Sequence, residues 1–286
     1  MDPRRVYCST ISFRHQPLAE ALGTITGLGF TGVDLGALPG VCDHVPVDLD
    51  ESSATAVRTA VQRAGVQVRS VNADVGDLDV PDADQGAARR REQRLERLLD
   101  LAREVGATAL VLPSGRLGHE PVREDAADRA LVVERLVDAA QRAGRRGLEL
   151  WTEAPHAHRT VCDLDRAGRL LDALPAEVGA VLDVSHVVAS GGDPLDFVAR
   201  HGDRTRHVHL RDAVRGDIHR SLGRGDVDFA AVLGALDAAG YEGVLALELE
   251  TRDVRDEDRP EAALAAGELI SGLLSAAARP AEEPVR

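Results

Sequence analysis

The chain has 286 residues and a formal net charge of −14, from 48 acidic against 34 basic side chains. That balance opposes a nucleic-acid partner and favours a small polar substrate. Every basic residue is arginine, which excludes lysine Schiff-base chemistry and the lysine of a phosphate-binding loop and leaves carbonyl polarisation to arginine, histidine, backbone dipoles or a metal.

The opening MDPRRVYCST lacks the apolar segment of a secretory signal, and no apolar run is long enough to span a bilayer. A soluble, cytoplasmic protein with no membrane partner is expected. Cys8, Cys42 and Cys162 are scattered, without CxxC spacing, and are expected as free thiols. No linker divides the chain, so one domain is expected over residues 1–278, followed by a disordered tail over 279–286. Both a monomer and a homo-oligomer remain open.

Short runs rich in Val, Leu and Ile alternate with longer stretches whose apolar residues recur at helical spacing. RVYCSTI (5–11) reads as a strand and PLAEALGTITGLG as its helix. TGVDLG (31–36) precedes SSATAVRTAVQRAG, and GVQVRSVN (65–72) precedes GAARRREQRLERLLDLAREVG. ATALVLP (107–113) leads to REDAADRALVVERLVDAAQRAG, and GLELWTE (147–153) to CDLDRAGRLLDAL. VGAVLDV (178–184) is followed by a short DPLDFVARHG, RHVHLRD (206–212) by DFAAVLGALDAAG, and GVLALELE (243–250) by PEAALAAGELISGLLSAA. Most helical stretches end in Gly, as helix C-caps do. Eight strand–helix pairs in strict alternation predict a parallel sheet closed on itself with helices outside, an α/β (β/α)8 barrel. The alternative, a doubly wound open sheet, usually carries a Gly-rich first turn, and ISFRHQP has none.

In such a barrel, ligands gather at the C-terminal ends of the strands. There the later strands place Glu153, Asp183, His209 and Glu248. Period-two alternation turns His209 and Glu248 inward, with Val208, Leu210, Leu245, Leu247 and Leu249 outward. Glu149 competes with Glu153 for the same face but sits deeper, and Glu250 competes with Glu248 from beyond the rim. Burying three carboxylates together is costly unless something neutralises them, and a divalent cation does so. Three carboxylates and an imidazole suit one Mn²⁺ or Mg²⁺, with Co²⁺ or Zn²⁺ also compatible. Trp151 shares the inward face with Glu153 and is a candidate apolar wall for substrate. Further polar candidates lie on early loops: His15, His44, Asn72, Asp74, Arg116 and His119.

The series TEAPH, LDVSH, HVHLRD, LGRGDVDF and GYEGVLALELE resembles the sugar phosphate isomerase/epimerase superfamily of xylose isomerase-like TIM barrels. GFTGVDLG resembles the family's second strand, with Asp34 where glutamate is commoner. The resemblance implies metal ligands at Glu153, Asp183, His209 and Glu248, and substrate contacts from His186 and Arg215. Asp217 and His219 resemble the Asp-x-His pair of endonuclease IV, but VNADVG and LVLPSGR lack that enzyme's early histidines, so a single metal is expected and these two residues are assigned to the pocket or its loop.

The implied activity is a metal-dependent isomerase or epimerase in carbohydrate metabolism. It would act on a small polyol or keto substrate, a sugar, inositol or keto acid, with Glu153 and Glu248 shuttling a proton through an enediolate. The alternative is dehydration of a keto-inositol or dehydroshikimate-type substrate on the same scaffold. A nuclease or a non-catalytic accessory barrel ranks below both.

Overall fold

Aspartates start the helices and satisfy their exposed N–H groups: Asp50, Asp84, Asp163, Asp193 and Asp228 each accept a backbone hydrogen bond from the first turn. Gly65 ends one of those helices in the left-handed conformation, at φ 67°, where a β-carbon would be strained. The structure, a computed structural model, describes residues 3–277; the tail expected over 279–286 lies outside the described residues.

Strand β1 (Val6–Ser9) leads to α1 (Leu18–Gly27), β2 (Gly32–Ala37) to α2 (Glu51–Ala64), and β3 (Gln67–Ala73) to α3 (Gln85–Glu104). β4 (Ala109–Pro113) is followed by α4 (Asp125–Gly144), and β5 (Glu149–Glu153) by α5 (Leu164–Ala173). β6 (Val178–Asp183) runs directly into a short α6 (Val184–Ala189), then α7 (Pro194–His201). After β7 (Thr205–Leu210) come a hairpin of β8 (Asp212–Val214) and β9 (Asp217–Arg220), α8 (Phe229–Ala238), β10 (Leu245–Leu247) and α9 (Arg259–Ala277).

The eight predicted strands pair in parallel and close in chain order, β10 joining β1 to β7. This is the (β/α)8 TIM barrel, and the open-sheet alternative is overturned. The β8–β9 hairpin and α6 were not anticipated.

Strand alternation divides the core in two. Outward residues such as Val33, Leu35, Leu110, Leu182, Val208 and Leu247 join the helices in one large apolar layer. Inside the barrel a smaller cluster of Ala109, Val111, Trp151 and Val181 fills the lower half. Above it the inward positions are polar, and that boundary forms the floor of the site.

The loop after β9 is tied down by buried Asp212, which accepts N–H bonds from Gly223 (2.8 Å), Gly225 (2.9 Å) and Val227 (3.1 Å). Gly225 approaches so closely that a β-carbon there would lie 2.4 Å from the Ala213 carbonyl oxygen. Among the described residues the three cysteines are free thiols, and no helix is long and apolar enough to cross a membrane.

Candidate metal centre and active site

Each of the four expected donors arrives from its own strand. Glu153 ends β5, Asp183 ends β6, His209 is the penultimate residue of β7, and Glu248 directly follows β10. Pairing register sets Asp183 opposite His209, while Glu248 lies two residues beyond Ala246, the β10 partner of His209, and its N–H bonds the Leu210 carbonyl at 3.1 Å. All four are buried, Asp183 and His209 completely.

Ligand atoms of Glu153, Asp183 and His209 lie within 4.8 Å of one another, and Glu248 Oε2 is 3.5 Å from His209 Nδ1. Donors around one small dication stand about 3 to 4 Å apart, so only slight contraction is needed. Both ring nitrogens of His209 and Glu153 Oε1 have no hydrogen-bond partner among the described residues. Buried polar atoms are seldom left so, and a cation would satisfy Glu153 Oε1 and one nitrogen of His209. The barrel mouth is therefore a divalent-metal-binding site.

Asp183 divides its two oxygens. Oδ1 caps α6 by accepting from Ser185 N (2.7 Å), Ser185 Oγ (2.6 Å) and His186 N (3.1 Å). Oδ2 faces inward, toward Arg211 Nη2 at 3.4 Å. One carboxylate thus caps a helix with one oxygen and offers the other to the cluster.

The charges differ sharply within the cluster. Burial, then the nearby Glu248 and Asp183 carboxylates, push Glu153 up to about 8. Burial also raises Glu248, to about 6, against the pull of His209 and Arg211. Asp183 goes the other way: burial would raise it, but Arg211, His209 and its capping donors hold it below the ordinary carboxylate range. Burial opposes a charge on His209, yet the surrounding carboxylates, Glu248 foremost, raise it to about 10. Without a cation, the cluster holds protons that a cation would displace.

Two other groups have metal-like spacing, Glu153–His156–His186 and Asp34–His207–His209. In the first, His186 Nδ1 accepts the Ala157 N–H at 3.1 Å, so the neutral ring carries its proton on Nε2 and donates into the cavity instead of ligating. Burial and the Arg211 charge hold His186 well below its ordinary value, which keeps it neutral. In the second, His207 Nε2 and Asp34 Oδ2 already form a 2.7 Å hydrogen bond.

A cavity of about 250 Å³ opens above the cluster. Its polar side includes Glu153, Glu248, His186, His219 and Arg211, and its apolar side includes Ile11, Leu38, Val41 and Leu117. His219 lies in β9 and donates Nδ1–H to the Glu250 carbonyl at 2.8 Å, leaving Nε2 as an acceptor.

Several candidates lie elsewhere. Arg215 is exposed at the β8–β9 turn, its guanidinium beside Gly191 and away from the cavity lining. Asp217 pairs with Arg220 at 2.9 Å and caps the His219 N–H. Trp151 points inward but two residues below Glu153, stacked on His207 and donating to Glu149 at 2.8 Å; it belongs to the barrel floor. Glu149 is exposed at the opposite end of β5. Glu250 lines the cavity and pairs with Arg14 and Arg211. Of the loop candidates, Asn72 reaches Glu248 at 3.4 Å and Asp74 pairs with Arg159 at 2.7 Å, both on the cavity wall. His15, His44, Arg116 and His119 do not line it.

Arg211 was not among the expected residues. The signal was present, because His207, His209 and Arg211 share one parity in HVHLRD and so one face of the strand.

Residues 24–271 match the sequence profile of the xylose isomerase-like TIM barrels. The chain belongs to that family. A Streptomyces coelicolor protein provisionally named hydroxypyruvate isomerase is 29% identical over 263 residues, spanning 85% of this chain and 89% of its own. The inosose dehydratase of Geobacillus thermodenitrificans is 32% identical over 139 residues, 40% of this chain and 46% of the enzyme. Among solved structures, the IOLI protein with a bound zinc atom superposes with TM-score 0.77 at 16% identity, covering 93% of this chain and 98% of that one.

Proposed function

We propose that this xylose isomerase-like barrel is a divalent-metal-dependent isomerase or epimerase of a small polyhydroxylated carbonyl compound, a sugar, inositol or keto acid. The observation that carries the reading is the convergence of Glu153, Asp183, His209 and Glu248 beneath an open polar cavity, with the His209 ring nitrogens and Glu153 Oε1 left without hydrogen bonds among the described residues. Mn²⁺ or Mg²⁺ suits this oxygen-rich set best, with Co²⁺ or Zn²⁺ compatible. When bound, such an ion supplies Lewis-acid polarisation of the substrate carbonyl and its neighbouring hydroxyl.

The side chains do the remaining work. Glu153 and Glu248 come from strands separated by β6 and β7, so they flank whatever lies between them. One removes the proton next to the carbonyl, and the other returns a proton to the opposite face or to the adjacent carbon. The first outcome is epimerisation and the second isomerisation. His186 Nε2–H, held in place through Ala157, donates to a substrate oxygen without bringing charge, while His219 Nε2 accepts from a hydroxyl. Arg211 pairs with Asp183 and Glu250, and its charge keeps Asp183 ionised. The Ile11, Leu38 and Val41 wall faces the carbon skeleton and limits water.

A dehydratase on the same scaffold is the second reading, supported by the identity to inosose dehydratase and by the His186 donor, which can assist a departing hydroxyl. Incubation of the Mn²⁺-loaded protein with a panel of keto-polyols and hydroxy-keto acids in D₂O tests both. Deuterium entering beside the carbonyl with an otherwise unchanged formula supports isomerase or epimerase chemistry. A product lighter by one water decides for the dehydratase, and neither result across the panel contradicts both readings.

A further inference from the structure

Beneath the metal cluster lies a second buried carboxylate that the proposed chemistry does not use. Asp34, in β2, is fully buried inside the barrel, and no arginine or lysine forms an ion pair with it among the described residues. Its Oδ1 accepts the Ser70 hydroxyl at 2.8 Å. Its Oδ2 takes the His207 Nε2–H at 2.7 Å and also faces His209 Nε2 at 3.6 Å. The opposite nitrogen of His209, Nδ1, is the one turned toward Glu248. The His209 ring stands edge-on to His207 at 4.9 Å, and His207 lies against Trp151 at 5.4 Å, so a stacked aromatic floor limits how far either imidazole can rotate.

A histidine ligates a metal through one nitrogen only if the proton sits on the other, and an acceptor behind the ring decides which nitrogen that is. Neither ring nitrogen of His209 has a hydrogen bond among the described residues. We propose that Asp34 is a positioning residue for the metal centre: it holds the proton of His209 on Nε2, aims the Nδ1 lone pair at the carboxylate cluster, and uses His207 and Ser70 to fix its own orientation. The 3.6 Å separation is longer than a hydrogen bond, and a movement of about 0.6 Å on metal binding would close it. The role rests on the metal-dependent reading above and concerns affinity for the ion, not contact with substrate.

The test titrates metal-free wild type, Asp34→Asn and Asp34→Glu with Mn²⁺ by calorimetry, with thermal unfolding measured in parallel. Asp34→Asn should bind about 10- to 100-fold more weakly at unchanged stoichiometry, as loss of such an outer partner typically does, and Asp34→Glu should recover most of the affinity. Asp34→Asn that unfolds earlier but binds Mn²⁺ like wild type would make Asp34 merely structural and overturn the proposal. Wild type that binds no Mn²⁺ overturns the metal reading and this proposal with it. If Asp34→Asn does not fold, nitrogen-15 NMR of Zn²⁺-loaded wild type decides: a proton on His209 Nε2 is expected, and a metal-bound Nε2 refutes the role.

Discussion

Arg211 Nη2 stands 3.4 Å from Asp183 Oδ2 in the barrel mouth, with both side chains almost wholly withdrawn from solvent. The same guanidinium reaches Glu250 Oε2 at 3.4 Å through Nη1 and Ser185 Oγ at 3.1 Å through Nε. It is the permanent counter-charge of an acidic cluster. Arg211→Met should destabilise the metal-free protein by about 3–5 kcal/mol, because it leaves buried carboxylates uncompensated. The same change removes a cation competing for Asp183, so Mn²⁺ should bind more tightly to the variant. Urea unfolding with and without Mn²⁺ measures both effects; a variant as stable as wild type without metal would contradict this role.

Glu248 is placed for proton transfer as well as for ligation. Glu248→Gln retains the size of the side chain and removes one charge from a crowded buried site, so the fold should survive. Substrate α-proton exchange in D₂O should fall by at least about 10²-fold. Exchange at the wild-type rate would remove Glu248 from the chemistry.

Asp212 organises the loop that passes the cavity. Asp212→Ala strips the acceptor from four N–H groups, those of Ala213, Gly223, Gly225 and Val227, with an expected cost of about 1–3 kcal/mol for each one left buried and unsatisfied. Gly225→Ala should also destabilise, since the new β-carbon would meet backbone that cannot swing aside. Hydrogen exchange should accelerate across residues 221–227 in both variants. Protection equal to wild type would show that the loop is held by other contacts.

Stability should fall on acidification below about pH 6.5 in the metal-loaded protein. Burial holds His44, His156 and His201 below their ordinary values. Unfolding frees each of them to take a proton near the unperturbed value of about 6.5, so below that pH the unfolded state binds more protons and stability declines as pH drops. Tm measured from pH 7 to 5 should decrease, and His44→Gln should shallow the slope. A Tm that rises toward pH 5 would contradict the assignment of these histidines as neutral.

Much of the architecture was legible because alternation of short apolar runs with helical periodicity survives in every repeat, and strand parity assigns each residue a face. Glu153, Asp183, His209 and Glu248 were accessible for that reason: each stands at or beside the end of a strand where the barrel opens. Parity also contained Arg211 and Asp34, but the resemblance drew attention to Arg215, six residues beyond His209. Between them the chain folds into the β8–β9 hairpin, which carries Arg215 out to solvent. Trp151 shares the inward face of β5 with Glu153 but stands two residues lower, in the barrel floor, and parity says nothing of height within a barrel. Height follows from the stagger between strands, which only the closed register reveals.

The most direct measurement is anomalous diffraction from crystals of the Mn²⁺-loaded protein. A single manganese peak within bonding distance of Glu153, Asp183, His209 and Glu248 is the predicted result. A peak held instead by Asp34 with His207 or by His156 with His186, or no peak in the barrel at all, would contradict the account.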